Sequence, residues 1–122
     1  MESPLKGKTG LRRIWNSLHY SLAGLGAAFK HEDSFRLEVV FALVLIPVAI
    51  ILPASGIGHA LMIAAIFLVL IVELLNSAIE ATVDRVSIEH HPLAKRAKDI
   101  GSAAVFVALL NVLIVWGFVL LG

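Results

Sequence analysis

Leu11, Ile14, Trp15, Leu18, Leu22, Leu25 and Phe29 recur at helical spacing, and Arg12, Arg13, Asn16 and His19 fall on other faces. The pattern predicts an amphipathic helix over residues 10–31, too polar to span a bilayer and suited to its surface. Residues 1–9, polar and containing Pro4 and Gly7, read as a loose tail. Three apolar runs follow and predict transmembrane helices at 34–52, 58–86 and 100–121. The first reaches spanning length only if it starts near Ser34, which draws Arg36 and Glu38 into one end; Pro47 inside it predicts a kink. The second would be about 42 Å long against a hydrocarbon core of about 30 Å, so one end must stand among headgroups. The third holds only Ser102 and Asn111 as clearly polar side chains. Between the last two, RVSIEHHPLAKRAKD reads as a charged connection broken by Pro92. The fold class is all-α membrane protein: three transmembrane helices and an N-terminal amphipathic surface helix in one domain.

Lys and Arg are concentrated in the N-terminal region and in the connection after the second span, while the 53–59 turn and the C-terminus have none. This asymmetry places the N-terminus in the cytoplasm and the C-terminus outside. The first thirty residues hold no compact apolar core with a small-residue site after it, so a cleaved signal peptide is not expected.

Polar groups interrupt the second span as ELLNSAIEATVD, residues 73–84. At about 100° per residue Glu80 and Asp84 each lie within about 20° of Glu73, with Asn76 about 60° to one side. A charge at bilayer depth costs at least about 2.5 kcal/mol at the centre, so such a stripe must face protein or water and marks a working site. Glu and Asn as interhelical hydrogen-bonding glue is the plainer alternative. Three spans offer little interior, so the stripe is expected to need oligomer interfaces to cover it, with Ser77, Ala78, Ala81 and residues 101–104 allowing close packing.

Depth separates the acids. Counted from Ala60, Glu73 lies about 20 Å in and Glu80 about 30 Å, near the cytoplasmic surface. Glu80 is placed to meet soluble, charged partners, and Glu73 a lipid-borne group. Glu32, Asp33 and Glu38 precede the first span on the same side. Two carboxylates, Glu32 and Glu80, with no His or Cys partner suit a hard cation such as Mg²⁺ bridged to phosphate oxygens. The adjacent His90 and His91 have poor spacing for one zinc ion, and the absence of cysteine removes thiolate sites and nucleophiles. Lys95, Arg96 and Lys98 are ordinary inside anchors that could also hold phosphate. The net charge of +1 gives no indication of a nucleic-acid partner, and neither a Walker loop nor a protein-kinase glycine loop is present.

ELLNSAIEATVDR at 73–85, AKDIGSAAV at 97–105 and GLGAAFKHEDSFRLE at 24–38 together resemble the small prokaryotic integral-membrane diacylglycerol kinases, from about Arg13 to the end. The resemblance implies a homotrimer in the inner membrane that transfers the γ-phosphate of ATP, with Mg²⁺, to diacylglycerol to give phosphatidic acid. It implies Glu73 as general base, Glu32 and Glu80 as metal ligands, and Asn76 orienting Glu73 or a phosphate oxygen. It places Arg13, Tyr20, Glu32, Glu80, Glu89, His90, His91, Lys98 and Asp99 at the nucleotide. It places Arg13, Ser17, Ser21, Phe29, Phe35, Arg36, Glu38, Glu73, Asn76 and Ser102 at the lipid.

Two other functions compete. An undecaprenol kinase of the same architecture would use the same hydroxyl chemistry. A small oligomeric proton or ion conductor would use Glu73 and Glu80 as a relay but leave Glu32, Lys98 and Asp99 without a role.

Overall fold

A computed structural model describes residues 10–86 and 91–122, and the expected tail 1–9 lies outside them. Four helices follow in order: α1 Gly10–His31, α2 Asp33–Ile51, α3 Gly56–Val86 and α4 Pro92–Leu121. No strand occurs among the described residues. α2, α3 and α4 are each long and apolar enough to cross a membrane, which makes this a membrane protein.

Each helix end has a local cause. Glu32 adopts an extended conformation, φ −114° and ψ 107°, that separates α1 from α2. The Arg36 guanidinium reaches back over this corner: Nη1 donates to the carbonyls of Phe29 at 2.7 Å and Lys30 at 2.8 Å, and Nη2 pairs with Asp33. It thus satisfies carbonyls that the end of α1 leaves open. Pro47 sits within α2 without ending it. Leu52, held extended at ψ 145° before Pro53, stops the helix. Ser55 Oγ accepts from Gly58 N at 3.0 Å and caps the start of α3, while His59 Nε2 lies 2.8 Å from the Leu52 carbonyl.

The last helix differs from its sequence expectation. α4 begins at Pro92, so residues 92–99 form its first two turns instead of a connection. Proline breaks a helix interior but suits a first turn, where its missing N–H has no partner to lose. His91 caps that turn, its Nδ1 accepting from Leu93 N at 3.0 Å.

α3 is the central element. It packs most extensively on α4 and next on α2, while α1 rests on α2. Ala42 and Ala49 of α2, Ala65 of α3 and Ala108 of α4 are buried, and their small side chains let the helices approach closely. Met62 is fully buried, and its carbonyl accepts from Trp116 Nε1 at 3.1 Å, tying α3 to α4. Large apolar side chains such as Leu43, Phe67, Leu113 and Phe118 face outward, as a lipid- or protomer-facing surface requires.

Candidate active site

Glu73 and Asn76 lie on the face of α3 that is covered by the chain itself. Only 5% of Glu73 and 8% of Asn76 is exposed. The protomer thus covers Glu73 and Asn76 by itself, against the expectation for those two residues, while Glu80 is only half-buried and Asp84 is exposed. α2 and α4 both pack on α3, and Gly101 of α4 lies against Asn76. Glu80, two turns beyond Glu73, is half-buried.

A cavity of about 620 Å³ opens over this face, lined by Glu32, Glu38, Glu73, Asn76, Glu80 and Ser102, with Phe41, Val105 and Leu109 on its apolar side. Glu32 enters because the α1–α2 corner falls at that residue, and it makes no side-chain bond to the start of α2. Its carboxylate and those of Glu73 and Asp84 act electrostatically on Glu80, with Lys98 acting in the opposite sense. Glu38, one wall across, is within hydrogen-bonding range of Glu73, and its Oε2 is buried without a partner. Ser77 donates to Glu73 Oε2 at 3.3 Å.

A second cavity, of about 890 Å³, lies between α1 and α3 and shares Glu32 and Glu80 with the first. Ser21, Gly24 and Leu25 line it from α1, and Ser77, Asp84 and Lys98 from the opposite side. Lys98 Nζ lies 2.5 Å from Asp84 Oδ1 and bridges α4 to α3. The two carboxylates Glu32 and Glu80 therefore stand where an acidic, partly apolar cavity meets one with a cation.

Among the described residues no three or more His, Cys, Asp or Glu side chains are grouped to hold a metal ion by themselves. Two carboxylates sharing an open cavity fit Mg²⁺, which keeps several waters and completes its shell with phosphate oxygens. They do not fit a zinc or calcium cage built wholly from protein.

This polar constellation, on three membrane-length helices and the corner of a fourth, has counterparts. Residues 19–120 match the family model described as prokaryotic diacylglycerol kinase. The chain is 62% identical to a diacylglycerol kinase of Pseudomonas aeruginosa over 120 residues, covering 98% of each. It is 52% identical to one from Haemophilus influenzae over 112 residues, 92% of this chain and 95% of the relative. It is 47% identical to one from Escherichia coli over 108 residues, 88% of each. The chain belongs to the prokaryotic diacylglycerol kinase family.

The other residues singled out in the sequence are spread around these cavities. Arg13, Ser17 and Tyr20 are exposed on α1, outside both linings. Phe29 is exposed near the end of the same helix, where its carbonyl meets Arg36. Phe35 is part of the packed core. Arg36 is engaged at the α1 terminus and lines neither cavity. Asp99 pairs with Lys95 at 2.7 Å, one turn apart. His91 lines a groove with Thr82, Val83 and Val86. Glu89 and His90 lie outside the described residues.

Three pairings are not among the sequence expectations: Ser77 with Glu73, Asp84 with Lys98, and Gly101 with Asn76. The first was readable, since Ser77 and Glu73 are one turn apart on the same helix. The other two needed the register between α3 and α4.

Proposed function

We propose that this chain phosphorylates diacylglycerol to phosphatidic acid, using ATP with Mg²⁺ at the cytoplasmic face of the inner membrane. The observation that supports this most strongly is the single cavity that joins buried Glu73 to half-buried Glu80 and Glu32, in a chain of this family. Family membership and the names of the relatives favour diacylglycerol over undecaprenol as acceptor.

Glu32 and Glu80 would hold the ion, and its charge would offset that of the ATP phosphates. Glu73 removes the proton from the lipid hydroxyl as its oxygen attacks the γ-phosphorus, and the bond from that phosphorus to the bridging oxygen breaks, releasing ADP. Ser77 orients the Glu73 carboxylate through its hydroxyl. Lys98, released from Asp84, offsets charge on the transferred group. The reaction asks mainly for alignment and charge neutralisation, so this short set of residues suffices. Phe41, Val105 and Leu109 give the lipid an apolar wall beside Glu73.

The positive-inside pattern supports a cytoplasmic N-terminus, so ATP reaches the Glu80 end from the cytoplasm while the lipid stays in the bilayer. Tyr20 and Arg13 on α1 and His91 at the start of α4 are assigned to the nucleotide side with Asp99, and Ser17, Ser21 and Ser102 to the lipid side. Three copies of the chain would pack through their exposed apolar faces. Purified protein given γ-labelled ATP should pass label to diacylglycerol and require Mg²⁺. ATP turnover indifferent to lipid, or ion flux without transfer, would reject the reading.

A further inference from the structure

Gly101 is buried in α4 directly opposite Asn76 of α3. A Cβ at position 101 would fall inside the contact radius of Asn76 Oδ1 and 3.2 Å from its Cγ. Helical glycine costs roughly 0.5–1 kcal/mol relative to alanine, so the missing side chain is a local loss of stability where α4 meets the site. Asn76 Oδ1 is buried and has no hydrogen-bond partner. Oδ1, Cγ and Cβ are the Asn76 atoms nearest a Cβ at position 101, so Nδ2 is the amide atom farther from α4, and Asn76 also lines the cavity. Nδ2 is a neutral donor in a cavity lined by five carboxylates, and Asn76 stands between Glu73 and Glu80 along α3. His31, Ser34 and Ser102 also line the cavity, and the Asn76 amide differs from them in being held against the backbone of a second helix.

The geometry points to Gly101 as a positioning residue: the space left by its absent side chain seats the Asn76 amide so that Nδ2 faces an oxygen of the phosphoryl group in transfer. This rests on the kinase reading above. A Cβ at 101 pushes the amide out of its seat and into the cavity. Displacements of about 1 Å in a positioned group can cost on the order of 100-fold in rate. Loss of α3–α4 packing alone would instead act whatever residue stands at 76.

The test is a double-mutant cycle on the purified oligomer: parent, Gly101→Ala, Asn76→Ala and the double variant. Turnover and KM for ATP are read with γ-labelled ATP and a short-chain diacylglycerol, and Tm is read in the same detergent. Gly101→Ala should lower turnover by at least about tenfold with KM for ATP changed less than about threefold. In the Asn76→Ala background the same substitution should change turnover less than about twofold, because the group it displaces is gone. If Gly101→Ala alone does not fold, the double variant should recover the Tm of Asn76→Ala. Equal losses in both backgrounds, unchanged turnover in Gly101→Ala, or a double variant that also fails to fold each overturns the inference. A parent that transfers no phosphate to lipid rejects the kinase reading instead, and Tm coupling between positions 76 and 101 still tests the contact.

Discussion

Ser77 donates its hydroxyl to Glu73 Oε2 at 3.3 Å, one helical turn away, on the face of α3 that the chain itself buries. A carboxylate so oriented, at the wall of the cavity, can act on a hydroxyl presented beside it. Glu73→Gln keeps size and hydrogen bonding but removes the base. Turnover should fall by about 10²- to 10⁴-fold while KM for ATP stays within a few-fold. Full steady-state kinetics on confirmed oligomer check this; near-parental turnover would make Glu73 interhelical glue.

Glu32 and Glu80 share both cavities. Glu80→Gln removes one of two hard oxygen ligands, so the Mg²⁺ concentration for half-maximal activity should rise by about tenfold or more and activity should nearly vanish at ordinary Mg²⁺. A Mg²⁺ titration at fixed ATP reads this directly. An unchanged Mg²⁺ dependence would remove Glu80 from the metal site.

Lys98 pairs with Asp84 in an open setting, where ion pairs add little to stability. Lys98→Ala should therefore leave Tm nearly unchanged yet lower turnover strongly. A parallel loss of Tm and activity would make the pair structural.

Arg36 closes the α1–α2 corner at which Glu32 sits. Arg36→Ala should loosen α1 and weaken the apparent Mg²⁺ affinity through Glu32, with Arg36→Lys restoring only part because lysine cannot fork across two carbonyls and a carboxylate. Limited proteolysis near residue 31, read beside the Mg²⁺ titration, checks both effects.

Gly58, at the far end of α3, faces Val119 of α4, where a Cβ would stand 2.9 Å from Cγ1. Gly58→Leu should overpack this contact, at a cost of about 1–3 kcal/mol, and lower Tm without changing KM for ATP. A changed KM would mean that this end communicates with the nucleotide.

The helices were legible because the apolar periods are long and the polar interruption in α3 falls on one face. The carboxylates Glu73 and Glu80 stood out because charge within a membrane-length helix needs a reason. Other features depended on relations between helices. Pro92 read as a break because its place relative to His91, which caps it into a first turn, is set by only one residue of register. Arg36 gave no sign that it would turn back over Phe29 and Lys30, since that depends on the angle between α1 and α2. Gly101 was one small residue among several until Asn76 was found packed against it. The burial of Glu73 by its own chain was misjudged because α2 and α4 cover more of α3 than three separate cylinders suggest.

The most direct test of the account is transfer of labelled γ-phosphate by the purified oligomer to a panel of lipid alcohols in mixed micelles with Mg²⁺. The account predicts labelled phosphatidic acid from diacylglycerol at a rate above that for undecaprenol, and none without Mg²⁺. Faster labelling of undecaprenol, or ATP hydrolysis with no labelled lipid, would contradict it.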